Sequence, residues 1–331
     1  MVAQHAKVSR VAVSRAFNAN ASIRPEKRAL ILRVAREIGY VPDMAARSMV
    51  TGRSNLVAVI VPNVSSPWES QELDALTLAL QDLGFAMLLF RTGDDFTLDD
   101  RLLTYLRGFN PDSVICFAEN VRPLQLVRSL DRAVPIYIGY PEAALHEPKG
   151  APVKHDCLEV MLESSLSEIV KRMAARGARQ FAFLAGKQGS AATSARRQIL
   201  SRILIRAGLP DPEEITGDYG YDLAYRSTAA RFRSGHEINA IIAANDVSAC
   251  GAIDALRTEI RLSVPDQVQV AGFDDVGLAR WKSHDLTTVR VDLAERVGAL
   301  AQLIQRRLAS REEPGLTERI ASHPVFRGSA G

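Results

Sequence analysis

From residue 55 to the C-terminus, short apolar runs alternate with amphipathic segments, and few folds accommodate such a pattern. Strands are expected at 56–61, 86–90, 113–117 and 135–139, with helices at 69–83, 98–109 and 123–132 between them. A looser stretch at 141–152 interrupts the run, and the alternation then restarts. Helices at 159–176, 193–207, 223–233 and 247–259 alternate with strands at 181–185, 240–243 and 268–272. A strand at 288–291, a helix at 293–308 and a tail strand at 319–322 close the scheme. Repeated βαβ units dictate a parallel sheet with helices on both faces. Two successive halves, with late elements left over to cross back, predict a two-lobed α/β body with a cleft. The sequence holds no repeat at solenoid period and no low-complexity segment.

Residues 2–18, VAQHAKVSRVAVSRAFN, follow another pattern. They read as a short helix, a tight turn at Ala6-Lys7-Val8, and a second helix opened by Ser9, whose hydroxyl suits an N-cap. Val2, Ala3, Ala6 and Val8 supply an inner side, and Val13, Ala16 and Phe17 recur on one helical face. Arg10, Val11, Ser14 and Arg15 then lie opposite. Two helices across such a turn make a helix-turn-helix whose second helix fits a DNA major groove. A plain helical hairpin with solvated arginines would show the same residues. A third helix runs from Pro25 to Gly39 along a stripe of Leu30, Ile31, Val34, Ala35 and Ile38, with Arg24 at its N-cap. After the Tyr40-Val41-Pro42 break, Asp43 offers a new cap for a short helix over 44–50, too few turns to persist without a partner.

Charge separates these two regions. Residues 1–54 hold 10 Lys and Arg against 3 acidic residues, a net +7, while the remainder carries −4, for +3 overall. A basic module on a mildly acidic body is the electrostatic pattern of a nucleic-acid reader. No signal peptide and no membrane-length apolar run is visible, and Cys116, Cys157 and Cys250 are far apart, as in a reduced cytoplasmic protein.

The segments VAxxAKVSxxAVSRAFN, RPEKRxxILRVAREIGYVPD and AARSMxTGRS resemble the headpiece and hinge of the LacI/GalR family of bacterial transcription repressors, over essentially all of 2–54. The resemblance implies an all-α helix-turn-helix headpiece at 1–42, a hinge helix at 43–54, and a periplasmic-binding-protein-like effector and dimerisation domain at 55–331. Its first lobe would comprise about 55–152 and 290–320, its second about 153–289 and 321–331. By position, Arg10 and Val11 fall on the family's base-reading pair, Arg15 on a guanine contact, and Met49 on the minor-groove wedge, with Ala46 and Arg47 beside it. The chemistry agrees, because Arg bonds guanine O6 and N7 together and Val covers a thymine methyl. Ser9, Ser14 and Asn18 suit phosphate contacts, which position the helix without reading sequence. Lys7 departs from the usual Gly, at a cost of about 1–2 kcal/mol if the backbone is left-handed. Asp43 departs from Asn. The chain begins at the first helix itself, and a start truncated relative to family headpieces is the expectation.

The body carries the resemblance onward through VAVIVPNVSSPW, LAGKQGSAATSARRQIL, AIIAANDVSACGAIDAL, VPDQVQVAGFDDV and DLTTV. The family's body holds a small effector between its lobes. Trp68, Arg197, Asn245 and Asp274 stand at or just beyond expected strand ends and coincide with family effector contacts, and Tyr219 falls on an aromatic one. Asp accepting from hydroxyls, Arg and Asn fixing orientation, and aromatic faces covering a ring suit a polyol. Other readings stand beside these. Trp68 fits a core aromatic, Asp274 or Asp275 a turn cap, Asn245 an N-cap, and Arg197, next to Arg196, a solvated face. Arg197 and Arg202 together would favour a sugar acid or phosphate. Glu69 replaces a common aromatic, and Gly139-Tyr140 lies where Asp-Arg is frequent.

Enzyme signatures are missing: no GxSxG elbow, no phosphate loop, no HExxH. Gly186-Lys187-Gln188-Gly189 is a weak glycine pair, and His155-Asp156-Cys157 lacks further ligands for a metal. No catalytic residue, metal or cofactor is expected. The expected partners are a pseudo-palindromic double-stranded DNA operator, a small-molecule effector acting as inducer or corepressor, and a second copy of the chain, with no membrane. A stand-alone solute-binding protein or an enzyme of the same body is the competing reading, and the basic headpiece and missing signal peptide weigh against it.

Overall fold

A computed structural model describes all residues except 19–20, 42–47, 49–51, 93–97, 119–120, 122, 131–132, 140–153, 236 and 311. The expected hinge residues Asp43, Ala46, Arg47 and Met49, and Tyr140, lie outside the described residues. Residues 1–55 and 56–331 form two compact units.

In the first unit, α1 (Val2–His5), α2 (Arg10–Ala16) and α3 (Pro25–Glu37) close around Val2, Ala6, Ala12, Ala16, Ile31, Val34 and Ala35. Ser9 caps α2 as expected, its Oγ accepting from Ala12 N at 3.1 Å. Lys7 does adopt the left-handed backbone, with φ +50°. Gly39 ends α3 at φ +63°, letting Tyr40 N donate to Ala35 O at 2.8 Å, the closing bond of a Schellman turn. Arg28 on α3 reaches back to the end of α2, donating to the carbonyls of Ala16 at 3.4 Å, Asn18 at 3.1 Å and Ala21 at 2.8 Å.

The second unit is the expected alternation. Its first sheet uses β1 (Leu56–Val61), β2 (Ala86–Arg91), β3 (Ser113–Cys116), β4 (Pro135–Gly139) and β5 (Asp156–Met161). Helices α4 (Pro67–Asp82), α5 (Asp100–Phe109) and α6 (Pro123–Val127) connect the first four of these strands. Next come α7 (Glu163–Ala175), β6 (Phe181–Ala185), α8 (Ala191–Arg206), β7 (Glu213–Thr216), α9 (Tyr221–Arg233) and β8 (Ala240–Ala243). The chain finishes with α10 (Asp246–Asp254), β9 (Gln269–Phe273), β10 (Thr287–Val291), α11 (Leu293–Ala309) and β11 (Thr317–Val325). The strand order is β2-β1-β3-β4-β5-β11-β10-β9-β8-β6-β7. The pairings are parallel except β10–β11. Residues 317–321 of β11 pair with β5, and residues 322–325 pair with β10, so one strand serves both lobes.

Several elements differ from expectation: the helix expected at 123–132 is only Pro123–Val127, and the tail strand expected at 319–322 runs Thr317–Val325. Residues 156–161 form β5 instead of starting the helix expected at 159–176, so the chain leaves the first sheet after Met161 and not near residue 152. Alternating burial in DCLEVM is a strand period that the following long helical pattern concealed. β7 was unforeseen because EEIT has one apolar residue to bury at a sheet edge. The expected helix 247–259 ends as α10 at Asp254 and passes into a π-helical turn, Ala255–Ile260.

The His155-Asp156-Cys157 cluster is structural. His155 lies edge-on to Tyr137, with centroids 5.6 Å apart, and burial pushes the Cys157 thiol up to about 12. Asp156, fully buried, pairs with Arg307 of α11 (Nε to Oδ2 2.9 Å) and accepts from Leu316 N at 2.8 Å. Arg307 also donates to the carbonyls of Glu313 at 2.9 Å and Pro314 at 3.1 Å, which fixes the turn into β11. Asp156→Ala would strand a buried guanidinium, so urea denaturation should show a loss of about 3–5 kcal/mol. A loss under about 1 kcal/mol would mean that the carbonyls alone hold Arg307.

Candidate functional site

All six headpiece candidates, Ser9, Arg10, Val11, Ser14, Arg15 and Asn18, are exposed. The buried side of α2 is Ala12 and Ala16, so the 100° step per residue leaves Arg10, Val11, Ser14 and Arg15 outward. Val11 is 61% exposed, an apolar side chain without a core to join. A stiff β-branched side chain of this kind suits an apolar contact with a thymine methyl.

The second candidate site is a cleft of about 380 Å³ between the lobes. Its walls come from the loops and helix starts that follow the C-terminal ends of parallel strands, where α/β sheets bind ligands. After β1, Ser66 caps α4 and brings Trp68, Glu69 and Glu72 to the wall. Phe117 follows β3, and Ile138 lies on β4. From the second lobe come Lys187, Ser190 and Arg196 around the start of α8, then Tyr219, Asn245 and Asp274 after β7, β8 and β9. Arg296, in the first turn of α11, completes the lining.

Local geometry aims these groups. Asp218 and Tyr219 both have positive φ, +50° and +59°, a turn that swings the Tyr219 ring across Gly186. A Cβ on Gly186 would sit 2.2 Å from that ring, so only glycine fits there. The Tyr219 hydroxyl bonds Ser190 Oγ at 2.9 Å and Thr193 Oγ1 at 2.7 Å. Asn245 accepts from Ser248 N at 2.9 Å as the cap of α10 and donates to Tyr219 O at 3.1 Å. It is therefore both an N-cap and a wall residue.

The charges are paired. Arg196 stands 3.6 Å from Asp274 and lies over Phe273, 4.7 Å from the ring centroid. Arg296 forms a buried ion pair with Glu72 and lies 5.7 Å from the Trp68 ring and 5.9 Å from that of Phe117. Burial pushes Asp274 up to about 7, opposed by Arg196 and reinforced by Glu69. Asp246 beneath it is also held well above the carboxylate range by burial, although Thr288 Oγ1 donates to it at 2.6 Å and Val276 N at 2.9 Å. Neighbouring Asp275 is an anchor, held by Arg327 at 2.5 Å and Arg280 at 3.3 Å.

Comparison with known proteins identifies this arrangement. The family model for bacterial regulatory proteins of the lacI family matches residues 2–43, and that for the periplasmic binding protein-like domain matches 170–330. The transcriptional regulator CelR of Thermobifida fusca is 28% identical over 337 residues, covering 99% of this chain and 97% of that protein. The chain belongs to the LacI family.

It is a DNA-binding transcriptional regulator with an effector-binding body. A CelR–cellobiose complex superposes with a TM-score of 0.70 at 25% identity, covering 99% of this chain and 98% of that one. The lac repressor dimer bound to operator and the anti-inducer ONPF gives 0.85 at 19% identity, over 99% and 97%, a likeness of fold.

Four of the five residues foreseen for the cleft of this LacI-family chain meet there: Trp68, Tyr219, Asn245 and Asp274. Arg197 does not. It pairs with Asp211 at 2.7 Å and lies 3.7 Å from Glu214, while Arg196, one helical step away, takes the wall. The row Ala192, Ala195 and Ile199 is buried, Arg196 flanks that row, and the next 100° step carries Arg197 round to the far face of the helix. Arg202 is likewise turned away, bonded to Glu163 at 3.1 Å. Both arguments for an anionic ligand from these residues fall. Sequence reading missed Arg296 and Glu72, although each stands in the first two turns after a strand end.

A proton sits on Asp274 up to about pH 7 in the folded chain, against an ordinary value of 3.8. Between those values the unfolded chain has released a proton that the folded chain keeps, so stability falls as pH rises through that window. Thermal melts of Asp274→Asn from pH 5 to 8 should show a flatter decline, with Asp246 sustaining the remainder. An unchanged slope would place the titration elsewhere.

Proposed function

We propose that this chain is a dimeric repressor that releases or grips a pseudo-palindromic operator according to a small polyol bound in its cleft. The cleft's makeup carries the reading: aromatic faces and fixed hydrogen-bonding groups from both lobes line one space of ligand size. Trp68, Arg196, Tyr219, Asn245, Asp274 and Arg296 are the proposed effector contacts. CelR, whose structure is a cellobiose complex, supports a sugar as the chemical class. The lac repressor dimer on its operator supports a two-fold assembly.

Residues 1–42 serve as the reading head, 43–54 as the hinge, and 55–331 as the effector-binding and dimerisation domain. Arg10, Val11 and Arg15 read bases, while Ser9, Ser14 and Asn18 hold phosphates. Ala46, Arg47 and Met49 act at the minor groove when the hinge folds on DNA. No catalytic step is assigned, and the protein works in the cytoplasm. Among the described residues no helix is long and apolar enough to cross a membrane.

Ligand spanning both lobes changes their relative pose, and the hinge transmits the change. Coupling of this kind is about 1–3 kcal/mol and reciprocal. Saturating operator should therefore shift the affinity of an active sugar by the same factor as that sugar shifts operator affinity, both read by titration. A sugar affinity indifferent to operator would refute the coupling. On the best operator Arg15→Ala should cost about 1–3 kcal/mol and relax one base position. A uniform loss across sequences would mark Arg15 as a phosphate contact.

A further inference from the structure

Effector clefts that accept acids or phosphates need a cation left over for the ligand. In this cleft the most buried cation, Arg296, is already taken. Among its described lining residues Lys187, Arg196 and Arg296 are positive, whereas Glu69, Glu72, Asp218 and Asp274 are acidic. The two guanidiniums are already engaged, Arg196 with Asp274 and Arg296 with Glu72. Both members of the second pair are buried, with side chains 6% and 4% exposed. A guanidinium over aromatic faces in a place of low polarity attracts an anion strongly unless a carboxylate already neutralises it.

Resting on the effector reading above, we propose that Glu72 is the residue that sets ligand class: by holding Arg296 it excludes carboxylated and phosphorylated sugars and restricts the cleft to uncharged polyols. Glu69, on the same helix and in the same wall, adds to the exclusion. An anionic ligand would have to displace Glu72 from Arg296 or lie against surplus carboxylates. A neutral polyol needs neither, and can donate hydroxyls to the acids and accept from the guanidiniums already in place. Removing the Glu72 charge frees a preformed anion site between Trp68 and Phe117.

The sequence has two tryptophans, Trp68 and Trp281, so Trp281→Phe in the full chain leaves Trp68 as a reporter beside Arg296. Its emission is followed while inorganic phosphate or gluconate is added at constant ionic strength. With Glu72 present, neither anion should give a saturable change. Glu72→Gln should give one with both, at least tenfold tighter than any response of the parent, and adding Arg296→Leu should abolish it. A saturable response in the parent overturns the proposal, as does a folded Glu72→Gln variant that responds no better. If Glu72→Gln loses its cooperative melting transition, Glu72→Asp, one methylene shorter, loosens the hold on Arg296 and should still show a weaker saturable response; none would overturn the proposal. These outcomes are separate from operator titrations, whose failure would count against the effector reading alone.

Discussion

The body depends on β11, which ends one sheet's pairing and begins the next within a single run of nine residues. A strand shared in this way cannot slide, because its register with β5 is parallel and with β10 antiparallel. The lobes can only bend about the places where the chain crosses, after Met161, after Val291 and at 321–322. Ser322 marks the last of these, its hydroxyl donating to Met161 O at 2.7 Å and contacting Ser165. The Asp156–Arg307 pair anchors the strand's start, and Asp275 with Arg327 anchors the segment beyond its end. Rigid anchoring at both ends puts the freedom at the cleft mouth.

At that mouth, pairing takes the place of net charge. Arg196 and Arg296 lie over aromatic rings that cannot solvate them fully, so each keeps a carboxylate close. The acids in turn stay crowded, and burial raises Asp274 toward neutrality. The arrangement presents donors and acceptors in fixed directions at little electrostatic cost. Orientation then supplies specificity, which is how a site distinguishes one polyol from another.

Much of this was legible in the sequence. Periodicity located most helices and strands because their apolar faces are long enough to repeat, and Ser9, Gly39 and Asn245 announced their caps. Lys7 was read as strained, and its φ of +50° bears that out. What escaped had a physical cause in each instance. β5 was hidden by a helix starting two residues after it, and β7 has too little apolar surface to signal itself. Adjacent arginines at 196 and 197 cannot be told apart by composition, since only the helix phase decides which meets the cleft. Arg296 and Glu72 are far apart in sequence, and nothing local in either segment reports that they meet.

The fully buried centre of the headpiece is small, with Val2, Ala6, Ala12 and Ala16 meeting Ile31, Val34 and Ala35, and Phe17, Ile23, Leu30 and Ile38 cover it only in part. Alanines bury little area, and a unit of this size hides only about 60% of its unfolded surface. The body, by contrast, buries large side chains such as Phe183, Phe273 and Tyr137. On warming, the reading head is the part with the least to lose. The smaller core gives the reading head less burial to hold it than the body has, so on heating it is the unit expected to open first.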